Sequence, residues 1–358
     1  MRNRREFIQT AAELAAGALL TGCGLLDAAP APQAGTPVTR REVRVGGKRV
    51  KVVDMHAHAG IAELENVVKG TPLERYGQSG GRLGPDRIQE LDKRGIDVQV
   101  LDINTFWWYA ADRELATKIV QVQDEGLSKW CAAHPDRFVA FTSPALQFPD
   151  LAAQQAEHAV KELGMRGVAV GGHVAGEPLS APRYDPFWAK VQELGVMVFM
   201  HPNSAENVAK VDAFAGAGDL GNVIGNPLET GLFLTHLIFD GTLDRFPGLK
   251  VCGAHAGGYL PSYLGRTDVA CDVRPNAKCV NKRHPREYMH DQILADSMVF
   301  SPEGVRHLVA EMGPSQVVYG TDMTFVWPDT VDAILKAEIP DAQKEAILGG
   351  NLVRLLKL

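Results

Sequence analysis

The sequence predicts a (β/α)8 barrel, and three observations carry that reading. Eight short β-branched runs alternate with longer amphipathic stretches, the runs are apolar on both faces, and histidines and aspartates gather just past their C-terminal ends. Strands buried on both faces suit a parallel sheet covered by helices, and eight cycles favour a barrel over a doubly wound sheet. The strands are expected at 50–54, 97–103, 137–142, 165–170, 195–200, 249–254, 296–300 and 315–320. Helical periodicity falls at 86–94, 112–134, 150–163, 186–194, 229–245 and 302–312.

A chain of 358 residues, 45% hydrophobic and 22% charged, buries a large core, which excludes disordered, collagenous and coiled-coil classes. A net charge of -6 with no block of like charges leaves no basic face for nucleic acid. The barrel domain is assigned to 48–358. Residues 1–23 read differently: Asn3-Arg4-Arg5-Glu6-Phe7-Ile8 resembles a twin-arginine export signature, and Leu20-Thr21-Gly22-Cys23 resembles a lipobox whose Cys23 is acylated after cleavage. Residues 24–47, rich in Ala, Pro and Thr towards their start, then read as a flexible tether. The expectation is an exported, membrane-anchored lipoprotein outside the cytoplasm. Cys131 and Cys252 lie in helical and apolar runs that suit buried thiols, while Cys271 and Cys279 bracket a loop where an oxidising compartment permits a bridge.

Placement of polar residues is more telling than the strand count. His56 and His58 follow the first strand, His173 the fourth, His201 the fifth, His255 the sixth and Asp322 the eighth. A barrel brings those ends onto the face where barrel enzymes keep their chemistry. Residues two apart on an extended chain share a face, so His56 and His58 can turn both imidazoles one way. Imidazole and carboxylate donors suit Zn²⁺ with one position left open, and such an ion brings the pKa of bound water to near ~7.

The motifs Val53-Asp54-Met55-His56-Ala57-His58, His134-Pro135-Asp136-Arg137-Phe138, Phe199-Met200-His201-Pro202, Gly253-Ala254-His255-Ala256-Gly257-Gly258, Leu264-Gly265-Arg266 and Tyr319-Gly320-Thr321-Asp322 occur in that order. The set resembles the amidohydrolase superfamily, within it the branch of aminocarboxymuconate semialdehyde decarboxylase and related metal-dependent decarboxylases. The resemblance implies that His56, His58, His201 and Asp322 ligate one divalent ion, Zn²⁺ first and Mn²⁺ second. It further implies that His255 is the catalytic acid/base beside the metal-bound water, and that Asp322 is catalytic as well as a ligand. Gly171-Gly172-His173 stands where binuclear members carry a lysine, in keeping with a single ion. Arg266 matches an arginine that in the resembled decarboxylases binds a substrate carboxylate across a homodimer interface, and a guanidinium can donate two parallel hydrogen bonds to such a group.

Arg75 and Arg82, in the Gly-rich segment after the first strand, are further candidate carboxylate clamps. Trp107 and Trp108, within Phe106-Trp107-Trp108-Tyr109, are candidates for a flat wall against an aromatic or conjugated substrate, with Phe325 and Trp327 nearby in sequence to Asp322. The leading reading is a decarboxylase of a small aromatic or conjugated carboxylic acid. A hydrolase of a lactone, ester or amide bond uses the same groups, and a non-catalytic metal-binding lipoprotein is the contrasting class.

Overall fold

The computed structural model describes residues 39–74, 81–102, 107–203, 205 and 208–358. Eight strands form one sheet: β1 (Val53–Asp54), β2 (Val98–Leu101), β3 (Phe138–Thr142), β4 (Gly167–Val170), β5 (Met197–Met200), β6 (Lys250–Gly253), β7 (Ile293–Asp296) and β8 (Val317–Val318). Every neighbouring pair is parallel and the order follows the chain. Between β8 and β1 the ladder gives way to a seam. There Met55 N–H donates to Tyr319 O at 2.9 Å and Asp322 N–H to His56 O at 2.8 Å, so the expected barrel closes.

The inner core is filled by alternate strand residues such as Val53, Val100, Phe141, Ala169, Phe199 and Leu294, and Leu352 and Leu356 of the last helix join it. A second apolar layer lies between strands and helices. The helices used below are α1 (Pro85–Arg94), α2 (Arg113–Ala133), α3 (Pro149–Lys161), α4 (Asp185–Leu194), α5 (Asn226–Phe239), α6 (Leu264–Val273), α7 (Pro285–Asp291) and α8 (Pro302–Met312). Local chemistry sets their ends. Asp112 accepts the Leu115 N–H at 2.9 Å and Ser301 accepts the Gly304 N–H at 3.0 Å, each satisfying a donor the first helical turn leaves free. Gly95 closes α1 at φ +77°, where a Cβ would come within 2.8 Å of Arg41 O.

Three boundaries differ from the sequence reading. One compact unit spans Thr39–Leu358 and so takes in residues 39–47 of the segment assigned to the tether. Val43 and Val45 are buried, and Arg44–Val45 pairs with Lys48–Arg49 as a hairpin, so the end of the assigned tether is pinned by apolar burial. The seventh strand is Ile293–Asp296 and not 296–300, because Ile293, Leu294 and Ala295 are the residues that face the barrel layers. The helix expected over 229–245 is α5 followed by a break at Gly241, φ +72°, before the short turn Thr242–Arg245. The His134–Phe138 motif is structural: Arg137 donates to Asp97 O and Ile96 O, both at 3.1 Å, and pairs with Asp92. The possible bridge is present, joining Cys271 to Cys279 with Cα atoms 6.0 Å apart. No helix of the described residues is long and apolar enough to cross a membrane.

Candidate metal centre

The strand ends do converge. One ligand atom each from His56, His201, His255 and Asp322 lies within 4.8 Å of the others. His58 Nε2 is 3.0 Å from Asp322 Oδ1, and the His58 and His201 rings stand 4.9 Å apart. The tightest group thus contains His255 where the resemblance puts His58, and all five residues share one site. Gly320 permits it, since a Cβ there would lie 2.9 Å from His56 Cβ and 3.0 Å from Asp296 Cβ.

The donor chemistry fits a cation. His56 Nδ1 donates to Asp296 Oδ2 at 2.7 Å, which leaves a lone pair on Nε2. That Nε2 has no hydrogen-bond partner, yet lies 3.1 Å from Asp322 Oδ1, itself an acceptor. Two buried acceptors at that distance are reconciled by a positive charge between them, either a proton on Nε2 or a metal ion. His201 Nδ1 likewise donates to Pro202 O at 3.0 Å, leaving its Nε2 as an acceptor. Burial pulls the His56 imidazole down, but the carboxylates of Asp322 and Asp296 outweigh it and raise the group well above its ordinary range. Burial pushes Asp322 up, and His56 and His58 together hold it well below the carboxylate range. Burial, then the neighbouring His58, keeps His201 far below the usual value and therefore neutral. The site resembles a metal centre in both its geometry and its preference for positive charge.

His255 is placed differently from the other four. It follows β6 in a left-handed conformation, φ 51°, continued by Ala256 at φ 60°. Its side chain is 15% exposed, and Nε2 stands 3.9 Å from Asp322 Oδ2. Burial and the nearby His56 push its imidazole down to about 4.

Above these groups opens a cavity of about 520 Å³, walled by Phe325, Phe214, Asn203, Asn222, Asn226 and Asp219. The Phe325 ring stands 4.8 Å from His58, edge to face. Most of this wall comes from residues 205–226, a segment without strong periodicity that the sequence did not mark as functional. Asp296 was missed as well, because placing it at the start of the seventh strand hid that it stands at a strand's C-terminal end.

The other described candidates fall outside the cavity. Trp108 is wholly buried in the layer between strands and helices, where Nε1 donates to Ser143 O at 2.9 Å, so it offers no face to a substrate. Trp107 fills the inner core, stacks on Tyr109 at 5.7 Å and donates to Pro202 O at 3.3 Å, bracing the His201 loop from behind. Both tryptophans, expected as a substrate wall, thus have their rings packed among core residues, and Phe325 lines the cavity. Trp327 packs on Phe300 at 5.3 Å. Arg82 pairs with Glu65 on the surface. Arg266 is exposed on α6 and does not line the cavity. His173 Nδ1 accepts the Gly176 N–H at 3.1 Å, and Nε2 lies 3.9 Å from Glu229, whose Oε1 accepts Gly172 and Asn203 N–H groups. Arg75, Phe106 and Cys23 lie outside the described residues.

Comparison with known proteins agrees with this geometry. The family model described as Amidohydrolase matches residues 53–358, and the chain belongs to that family. It is 32% identical to a 2-amino-3-carboxymuconate-6-semialdehyde decarboxylase of Dictyostelium discoideum, over 76% of this chain and 77% of that one. It is 30% identical to a gamma-resorcylate decarboxylase of Rhodococcus jostii, over 76% and 87%. A dihydroxybenzoic acid decarboxylase of Polaromonas, solved with manganese and the inhibitor 2-nitroresorcinol, superposes with a TM-score of 0.74 at 24% identity, covering 86% of this chain and 97% of that one.

Proposed function

We propose that the protein is a divalent-metal-dependent decarboxylase of a small aromatic or conjugated carboxylic acid. The observation that carries this is Asp322 Oδ1 held 3.1 Å from His56 Nε2 and 3.0 Å from His58 Nε2, with Asp322, His58, His201 and His255 lining a cavity of about 520 Å³. The decarboxylase names of both relatives favour this chemistry over lactone, ester or amide hydrolysis. His56, His58, His201 and Asp322 would hold one ion per chain. Their donor set suits Zn²⁺, and the manganese of the Polaromonas relative supports Mn²⁺ as the competitor. When bound, the ion supplies stabilisation of negative charge developing on the substrate's oxygens.

The chain's own residues do the rest. Phe325 and Phe214 offer flat walls to a ring, and the amides of Asn203, Asn222 and Asn226 offer donors and acceptors to its substituents. His255, neutral above about pH 4, accepts a proton from a substrate hydroxyl or from water. It returns the proton to the carbon bearing the carboxylate. The bond to the carboxylate then breaks, its electron pair stays with the ring, and CO2 leaves. In this reading the exposed Arg266 acts across a homodimer interface. The Asn3–Ile8 and Leu20–Cys23 motifs, together with the Cys271–Cys279 disulfide, support export and lipid anchoring.

The test is CO2 release from a panel of hydroxybenzoates and muconates, with lactones alongside, before and after chelation. Metal-dependent CO2 release from an acid is expected. Lactone opening without any CO2 release would replace the proposal with the hydrolase.

A further inference from the structure

We infer that Asp296 is a positioning residue that couples the metal ligand His56 to the group assigned as acid/base, His255. The His255 half of this inference rests on the proposed function; the His56 half does not. Asp296 ends β7 fully buried, and four donors from three parts of the chain converge on its carboxylate. Oδ2 accepts His56 Nδ1–H at 2.7 Å and the His255 backbone N–H at 3.0 Å. Oδ1 accepts the Ala256 N–H at 2.7 Å and the Met298 N–H at 3.1 Å.

Each contact has a distinct consequence. The bond to His56 fixes the tautomer that leaves Nε2 free to face Asp322, and a carboxylate in that place makes the imidazole a stronger donor to a metal. The bonds to 255 and 256 secure a left-handed turn that non-glycine residues adopt only under strain. Two successive left-handed residues point their N–H groups to one side, and an anion there compensates the strain. Oδ2 is shared between the His56 ring and the His255 backbone, so the aim of the metal ligand and the position of His255 depend on one atom. An amide at 296 keeps the shape but presents an NH2 to donors on one side.

The experiment uses the full chain as the Asp296→Asn variant, loaded with Co²⁺ as the probe. The Co²⁺ affinity is expected to fall roughly 10- to 100-fold with an altered visible spectrum. At saturating Co²⁺, kcat is expected to fall at least tenfold with KM retained. Wild-type affinity and spectrum would overturn the inference, and so would weakened binding with wild-type kcat at saturation, since that removes the coupling. Affinity and spectrum need no substrate, so they stand or fall apart from the decarboxylase reading. If Asp296→Asn does not fold, ¹⁵N-histidine NMR of the Zn²⁺-loaded wild type decides. His56 protonated at Nδ1 is expected, and protonation at Nε2 would overturn it.

Discussion

Asp54 accepts the Thr321 hydroxyl at 2.7 Å on Oδ2 and the Thr321 N–H at 3.0 Å on Oδ1, so the first strand's last residue clasps the segment following the eighth. Gln99 Nε2 adds a third donor at 2.7 Å and the His56 N–H a fourth at 3.1 Å. This clasp lies on the seam of the barrel, and two residues beyond Asp54 and one beyond Thr321 are the candidate ligands His56 and Asp322. Thr321→Val keeps the shape and removes the hydroxyl, leaving a buried carboxylate oxygen short of a partner. Stability is expected to fall by about 1–3 kcal/mol in urea unfolding. Metal affinity, measured by chelator competition, is expected to fall with it.

In the proposed reading the five site residues separate by role. His201→Ala is expected to lose the bound ion in elemental analysis of the purified protein. His255→Ala is expected to retain it while turnover drops about 10²- to 10⁴-fold, the range that general acid–base groups supply. Full turnover in His255→Ala would remove that residue from proton transfer.

Asp124 on α2 gives a pH-dependent stability. Burial pushes its carboxyl up to about 8, opposed by the Thr142 hydroxyl, which donates to Oδ2 at 2.7 Å. A folded-state pKa above the unfolded one means the folded chain holds the proton more tightly. The contribution is full below about pH 4 and is lost as pH rises towards 8, at up to about 1.4 kcal/mol per pH unit. Asp124→Asn is expected to flatten that part of the unfolding free energy against pH. An unchanged slope in the variant would show that Asp124 is charged when folded.

The Cys271–Cys279 disulfide closes a short surface loop after α6, with a sequence separation of 8. Alkylation of the unfolded, unreduced Thr39–Leu358 body is expected to label Cys131 and Cys252 alone. Replacing both bridged cysteines by serine is expected to cost no more than about 2–3 kcal/mol, the loop-closure entropy of so short a ring. Turnover should be kept, as neither cysteine lines the cavity.

The barrel and the convergence of the candidate site residues were legible because both follow from periodicity. Apolar runs mark strands, and a barrel gathers whatever polar residues follow them, so His56, His58, His201, His255 and Asp322 could be placed together before any coordinates. What escaped depends on more than period. Asp296 escaped through a strand displaced by a few residues. The left-handed turn at His255 and Ala256 carries no signal of its own, since neither residue is the glycine such a turn favours. Trp107 and Trp108 are adjacent, yet one faces the inner core and the other the outer layer, which the sequence distinguishes only once the strand register is known. The described cavity wall between Ala205 and Asn226 is built from short helical turns and the first residue of α5, too short to leave an apolar period to read.

The central claim is that a proton is delivered to the carbon that gives up CO2. Turnover of 2,6-dihydroxybenzoate, or of whichever acid in the panel releases CO2, in D2O by the metal-loaded protein tests it directly. The account predicts one equivalent of CO2 and one deuterium at the ring position that carried the carboxylate, both lost on chelation. Failure of every acid in the panel to release CO2, or a product without deuterium at that position, would contradict it.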